Sequence, residues 1–501
     1  MPAGGSCRMF YFCSMRYRLL AGCFTAFFPV LLLAQDKWGL RRCVEFAWQN
    51  NISIQQQEVQ ARIAALSEKQ SRLAALPNAN FSTNLGVQFG RSVDPTTNQF
   101  TTTQLLFQGV NLNADVVIFN WNRVKNTLLA ARLNSRAMAA NVDKIKNDIA
   151  LSVATAYLQA LLNKEQVAIS NLQYAQTRTQ LEATRLRVNA GALPELNAVE
   201  LEAQLARDST NIVNTKAAAD ISALQLKALL NLDADIPFEV EAPPVELIPL
   251  DPIADLQPAR VYQLALQNQP NQKMNQLRLQ SAQASVKANK ASFYPSIAGF
   301  LGLGSNFANP FKKITGFELT GYQAPNPLNG MVNVNGTSYF LQEPNINFTT
   351  SQKSFGELWK GYGRQMGNNF RQNIGVAVSI PIFNNGGAAR TQYERAKLDV
   401  KSAELTIRQS DQQLKQDIYQ AYTNALSALE RYNASTTTLK AARKTYDFAS
   451  KRYTVGLLGT FELITNQNNL SRAMTDQLIA RYEYVFRMKV LEFYKGEGLK
   501  L

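Results

Sequence analysis

The sequence predicts a mainly α chain with a membrane β-barrel part, built on an internal duplication. Three observations carry that expectation. Residues 121–190 and 388–455 each run about seventy positions without a Gly or Pro. Either stretch would form a helix of roughly 100 Å at ~1.5 Å per residue, far beyond the ~11–12 residues of an ordinary globular helix. Four segments alternate apolar and polar residues in the manner of transmembrane barrel strands. Blocks from the first half also recur, in the same order, in the second.

The chain opens on a secretory leader, residues 1–34. Arg16 and Arg18 form its basic region, residues 19–33 its apolar stretch, and Ala34 the small residue at the cleavage point. Met15 is an alternative start. Leu19-Leu20-Ala21-Gly22-Cys23 is similar to a lipoprotein box, but the apolar stretch before Cys23 is too short for one. No later stretch approaches eighteen apolar residues, so passage through a membrane has to use strands.

The leader takes Cys7, Cys13 and Cys23 with it, leaving Cys43. An intramolecular disulfide and a Cys-based metal site are thereby excluded. The chain has no His, which removes the commonest general base and metal ligand. Loss of Arg8, Arg16 and Arg18 lowers the net charge from +15 to +12. The remaining basic residues are scattered along helices, as solvated faces are, so neither nucleic acid nor a cofactor is expected as a partner.

The first repeat covers 35–236. It reads as a helix over 40–76 closed by Pro77, strands over 80–90 and 106–120, the long helix, a turn at Gly191 and a returning helix over 195–236. A Pro-rich linker spans 237–258, with Pro237, Pro243, Pro244, Pro249, Pro252 and Pro258. The second repeat, 259–501, begins with a helix over 259–294 and ends with a returning helix over 460–495. A shift of 218 lays Ala47, Asn50, Ala64, Ser67, Lys69, Pro77 and Gly86 on Ala265, Asn268, Ala282, Ser285, Lys287, Pro295 and Gly304. Phe119-Asn120 recurs as Phe383-Asn384, and Arg187, Gly191, Leu205 and Arg207 recur as Arg452, Gly456, Leu470 and Arg472. The larger offset of the later blocks requires an insertion of about 47 residues within 306–369.

The long helices carry a narrow apolar stripe: Ile145, Ile149, Val153, Ala156, Ala160 and Val167, and in the copy Leu414, Ile418, Tyr422, Ala425, Leu429 and Tyr432. That spacing suits helices packed side by side. In the strands, Phe81, Leu85, Val87 and Phe89 share one face, and Val376, Val378 and Ile380 share another with Ile374 and Ile382. These residues are expected to face lipid, opposite a polar face of Asn, Ser and Gln. Phe100, Phe119, Trp121, Phe293 and Tyr294 stand where interfacial girdles belong. Four strands leave open edges, so closure needs further chains: two, three or four copies would give eight, twelve or sixteen strands. A soluble sandwich with one wet face is the alternative.

Several stretches together resemble a TolC-like outer-membrane efflux protein. Trp38-Gly39-Leu40, with Cys43-Val44-Glu45-Phe46-Ala47-Trp48-Gln49-Asn50-Asn51, is similar to the family's opening helix. Gly90-Arg91-Ser92-Val93-Asp94-Pro95-Thr96-Thr97-Asn98-Gln99-Phe100 resembles the strand-loop-strand of one branch. The paired turns Arg187-Val188-Asn189-Ala190-Gly191 and Arg452-Tyr453-Thr454-Val455-Gly456 complete the resemblance. It implies a homotrimer whose twelve-stranded barrel lies in the cell outer membrane, above an α-helical tunnel in the periplasm. It implies a passive exit channel for efflux or type I secretion, joined to an inner-membrane transporter through a periplasmic adaptor. Arg187, Gly191, Arg452 and Gly456 then mark the tips that meet the adaptor, against the plainer reading that any helix hairpin needs such a Gly.

Some members carry an acidic ring six places after the second tip Gly, and Glu462 occupies that place, with Asn197 equivalent in the first half. Leu458 stands where some members have an Arg latch, and Thr465 where a second acid occurs, so the latch is not carried over. The insertion, with Tyr322, Tyr339, Trp359 and Tyr362, is expected outside the cell as a partial cover of the mouth. Its Lys312, Lys313 and Lys360 read either as contacts to anionic headgroups or as ordinary solvated lysines. A periplasmic coiled-coil scaffold is the competing function, but it has no need of strands with an outward apolar face. An exported enzyme finds no catalytic cluster here.

Overall fold

The computed structural model describes residues 37–93, 100–101, 104–242, 250–323, 330–382 and 387–496. The expected leader, residues 94–99 of the strand-loop-strand motif, Pro243, Pro244, Pro249 and Phe383-Asn384 lie outside the described residues. In chain order, α1 (Leu40–Asn50) and α2 (Ile52–Leu73) lead into β1 (Asn78–Gln88), the short pair β2 (Ser92–Val93) and β3 (Phe100–Thr101), and β4 (Leu105–Phe119). The rod α3 (Arg123–Asn189) and return helix α4 (Glu195–Leu230) complete the first half. The second runs α5 (Pro258–Asn268), α6 (Pro270–Lys290) and β5 (Ser296–Pro310). The insertion follows as β6 (Lys312–Gln323), β7 (Met331–Val334), β8 (Thr337–Phe340), β9 (Glu343–Gln352), α7 (Phe355–Leu358) and α8 (Tyr362–Asn368). β10 (Arg371–Ser379), α9 (Ala388–Thr454) and α10 (Thr460–Lys495) close the chain.

Each rod has 67 residues, about 100 Å at 1.5 Å per residue. Alongside α3 lie α2 and α4, one toward each end, with α1 at the joint between them. α6 and α10 flank α9 in the same way with α5 at the joint, and α6 also packs on α3. Among the described residues no helix is long and apolar enough to cross a membrane.

The single helices expected over 40–76 and 259–294 are each two, and both break at matching places, Asn51 and Gln269. Each of these residues is extended, with ψ near +126°. Asn51 caps α2 by accepting from the Ser53 N–H at 2.9 Å, and its amide donates to the Leu229 carbonyl at 2.8 Å. Gln269 likewise donates to the Phe493 and Tyr494 carbonyls at 3.4 and 3.3 Å. The last carbonyls of a helix have no partner within it, so each break serves the end of a return helix. Neighbouring amides repeat the arrangement: Asn231 donates to the Asn50 carbonyl, and Asn268 to that of Lys495. The first return helix therefore stops at Leu230, before the expected 236, because Asn231 caps it in the left-handed region.

The main apolar core sits at this mid-height. Leu40, Cys43, Val44 and Ala47 of α1 pack with Val153, Ala154, Tyr157 and Leu161 of α3, Leu226 and Leu230 of α4, and Tyr482, Val485 and Phe486 of α10. A second cluster joins Leu256, Val261 and Ala265 to Ile418, Ala421, Ala425, Met488 and Leu491. The segment expected as an extended linker takes part: Val240 pairs with Trp38, and residues 253–256 form a 3-10 turn. Burial pushes the Cys43 thiol up to about 12, so almost none of it is thiolate at neutral pH and it is a poor nucleophile.

The expected helix 121–190 begins at Arg123, because Trp121 and Asn122 are left-handed. Four strands form one antiparallel sheet in the order β1-β4-β5-β10. The helices join it at one end; the insertion leaves from the other.

Asn51→Ala removes a cap and a hydrogen bond to a helix terminus, together worth roughly 2 kcal/mol. Its thermal unfolding midpoint is expected to fall clearly below that of Asn50→Ala, whose amide bonds only within its own helix; equal midpoints would contradict the joint.

Candidate functional site

Two surfaces organise the sheet. Register places Phe81, Leu85 and Val87 of β1 opposite Leu112, Gln108 and Leu106 of β4. Leu112 and Ala114 face Leu303 and Leu301 of β5. Leu301 and Gly299 face Ile374 and Val376 of β10, and Val378 lies opposite Ile297. One face is thus apolar across all four strands. It is also bare: Phe81 is 64% exposed, Ile374 84% and Val376 63%. Phe89 and Ile380 extend the same face from one place beyond their strands, because Gly90 turns at φ +97° and Pro381 has no N–H to pair. At the helical end Trp121 packs on Phe119 and Tyr294, with centroids 5.3 and 5.0 Å apart, and donates its indole N–H to the Pro295 carbonyl. Phe293 sits instead against Tyr393.

The opposite face is polar and low in profile. Asn84 lies over Gly109 and Asn373 over Gly302 of the adjoining strand. Phe107 lies over its cross-strand partner Gly86, and Phe300 over Gly375. A Cβ on either glycine would come within 2.8 or 2.6 Å of the ring. The glycines therefore let two aromatic rings lie flat along the wall.

At the far end of the rods, α3 turns into α4 through Gly191 (φ +72°) and α9 into α10 through Gly456 (φ +77°). Both turns close with the same pair of bonds: Gly191 N–H to Val188 and Ala192 N–H to Arg187, then Gly456 N–H to Tyr453 and Leu457 N–H to Arg452. Both glycines are exposed at the very end. Arg187 donates across to the Tyr453 carbonyl at 3.4 Å, which ties the two tips together, whereas Arg452 donates within its own turn to Leu457. The Tyr453 hydroxyl is buried between Thr184, at 2.9 Å, and Thr460, at 3.4 Å. Glu462 is exposed in the first turn of α10, and its carbonyl accepts from Asn466. The Arg187 bond to Tyr453 brings the two tip turns together, and Glu462 stands in the first turn of the helix that follows Gly456.

A buried polar layer, missed in the sequence, stands about 20 Å above the tips, fourteen residues from Gly191 at ~1.5 Å each. The Asp208 carboxylate is 4% exposed and accepts from Thr177 at 2.6 Å, Gln204 at 2.8 Å and Gln173 at 3.0 Å. Gln467 and Ser471 of α10 donate into the same layer, to Thr177 and Gln173, and Asn468 accepts from Gln173. It joins α3 and α4 to α10, across the seam between the halves. Its residues stand on the inward stripe of their helices, and polar side chains there are the only trace of it in the sequence. Among the described residues no group of three acidic or Cys side chains is placed to hold a metal.

Asp208→Ala would take the acceptor from the buried Thr177 hydroxyl and leave the Gln173 and Gln204 amides with Asn468 alone. A loss of ~1–3 kcal/mol is expected, read as a lower urea midpoint; an unchanged midpoint would mean water replaces the carboxylate.

A family model described as outer membrane efflux protein matches residues 44–232 and 344–496. Three curated relatives align at low identity. An uncharacterized protein of Haemophilus influenzae is 25% identical over 264 residues, 52% of this chain and 55% of that one, so the chain spans about half that relative's length. Outer membrane efflux protein BepC of Brucella suis is 21% identical, covering 88% of this chain and 81% of its own. Alkaline protease secretion protein AprF of Pseudomonas aeruginosa is 21% identical, covering 96% and 89%. A solved structure of CusC, for which transmembrane channel formation is described, has a TM-score of 0.70 at 16% identity over 92% of each chain. The Campylobacter jejuni CmeC outer membrane channel has a TM-score of 0.68 at 15% identity, over 92% of this chain and 87% of its own. At that identity the likeness is one of fold.

Proposed function

This chain belongs to the outer membrane efflux protein family, and we propose that it is the passive exit channel of a tripartite efflux or type I secretion system. The observation that carries this reading is the four-stranded sheet: one face bare and apolar, the other polar, both edges unpaired, and two 100 Å rods continuing from one end. Backbone groups left unpaired in hydrocarbon are costly, so an open sheet in lipid has to close. β1 and β10 run in opposite directions, which lets β10 of one copy pair antiparallel with β1 of the next. Three copies give a twelve-stranded barrel with the apolar face outward and a polar lumen.

Below the barrel the rods form a periplasmic tunnel. The tips around Gly191 and Gly456, with Arg187 and Arg452, meet a periplasmic adaptor that links the duct to an inner-membrane transporter, which supplies the energy. Glu462 of each copy lines the narrow end, where three carboxylates concentrate cations. BepC is named for efflux and AprF for secretion of a protease, and a polar lumen suits either cargo.

Native mass spectrometry of the detergent-solubilised protein is expected to give three copies; a detergent-free monomer would leave the scaffold reading. In bilayer recordings Glu462→Ala should weaken cation preference, and unchanged selectivity would remove Glu462 from the constriction. Val376→Lys places a charge on the lipid face at ~2–4 kcal/mol when near the midplane. It should deplete the assembled oligomer from outer-membrane fractions, and normal yield would reverse the assignment of the two faces.

A further inference from the structure

The two short helices of the insertion sit on the apolar face of the sheet, not on the polar one. β4 and β5 keep one register from Val116↔Gly299 up to Leu105↔Pro310, so Ser305, Phe307 and Asn309 lie on the same outward face as Leu301 and Leu303. There α7 and α8 sit on the sheet. Phe307 is fully buried against Leu358, Trp359, Tyr362 and Met366. It stacks parallel to Trp359 at 5.7 Å and edge-on to Tyr362 at 5.1 Å. The two polar residues that would otherwise point outward are taken up by the helices: Ser305 donates to the Met366 carbonyl at 2.7 Å, and Asn309 to that of Leu358 at 2.7 Å. Beyond Arg371↔Gly304 β5 has no β10 partner, and α8 with its cap takes up that edge: the Ala308 N–H donates to the Gln365 side-chain oxygen and the Asn369 amide to the Asn306 carbonyl.

Its height along the sheet is informative. About eleven residues separate Ser296, beside the Trp121–Tyr294 girdle, from Phe307. At ~3.3 Å each and a tilt of ~40°, they span ~28 Å normal to the membrane, close to the ~25 Å apolar band of an outer-membrane barrel. Trp359 and Tyr362 therefore form the second girdle, carried on helices rather than on strands. Phe355 projects beside them, 79% exposed. Lys312, Lys360 and Arg364 are also exposed there, and none makes an ion pair among the described residues. Lys313, by contrast, pairs with Glu357 and holds its carboxyl down at about 2, helped by the Ser354 N–H.

We propose that α7 and α8 form an interfacial anchor on the outside of the barrel, seated in the outer headgroup layer, with Lys312, Lys360 and Arg364 contacting anionic lipid headgroups. Aromatic rings at the acyl boundary with basic side chains above them are the composition such a layer selects. The β6–β9 hairpin then stands beyond the membrane.

This inference rests on the barrel reading, and the test separates the two. Nitroxide labels are placed at G363C on α8, where a Cβ has open space, at S338C on β8, and at V376C on the lipid face; buried Cys43 stays unlabelled. The protein is reconstituted in phosphatidylcholine vesicles with and without phosphatidylglycerol, and oxygen and nickel-chelate accessibilities are measured. The anchor requires an oxygen-to-nickel ratio at G363C several-fold above S338C and below V376C. It also requires that phosphatidylglycerol raise this ratio, and that Lys312→Gln with Lys360→Gln and Arg364→Gln abolish the rise. A G363C label as water-accessible as S338C, with V376C still in lipid, overturns the anchor and leaves the barrel. A seated label indifferent to phosphatidylglycerol overturns the anionic contact. A water-accessible V376C would overturn the barrel itself.

Discussion

The structure turns on two rows of backbone groups that one chain cannot satisfy. Among the described residues β1 pairs only with β4, and β10 only with β5, which leaves one side of each without partners there, in a sheet whose outer face is largely apolar. Water meets such groups at the edge of a soluble sheet; hydrocarbon does not. Everything near the sheet is consistent with closure by further copies. Below the α7–α8 pair the outer face carries side chains left bare, among them Phe81, Ile374 and Val376. The inner face is kept shallow by glycines opposite Phe107, Phe300, Asn84 and Asn373, so a closed sheet is not filled by its own residues.

Below the sheet the design principle changes from pairing to stacking. Two rods span the length, and shorter helices lie end to end beside them. The joints between short helices are made the same way in both halves, by an extended Asn or Gln whose amide serves the carbonyls at the end of the return helix. Apolar packing is heaviest at these joints. Toward the tips it thins into small clusters around Leu201 and Tyr453, with the Asp208 layer between halves. Polar layers tolerate no sideways slip, because a displaced carboxylate leaves its donors unpaired. The lower wall is thus held by specific contacts, and the middle by bulk.

Much of this was legible in the residues. Absence of Gly and Pro marked the rods to within two residues, and period-two alternation found the four strands of the main sheet and which residues share a side. The tip turns were visible as glycines following a basic helix end. The break at Gln269 is marked by Pro270, which starts α6 and disfavours helix in the residue before it; that at Asn51 was not legible, because Asn51 does not interrupt helical periodicity and its partner, the Leu229 carbonyl, lies on a distant helix. The Asp208 layer was hidden for the opposite reason, since Thr and Gln on a long helix read as solvated until a third helix covers them. Within the insertion, single aromatics such as Trp359 carry no sign of which face of the sheet they will meet. That follows only from the uninterrupted register of β5.

The opposed directions of β1 and β10 have one further consequence. A β10–β1 junction between copies is antiparallel whatever the number of copies in the ring, and any number yields an even count of strands. Hydrogen bonding in the barrel is therefore indifferent to stoichiometry. In the proposed assembly what discriminates is the wall beneath, where α2, α3, α6 and α9 lie side by side and have to meet the next copy's wall. The proposed copy number then rests on how these helices pack, as where Ala137 and Ala140 meet Met274, rather than on any strand.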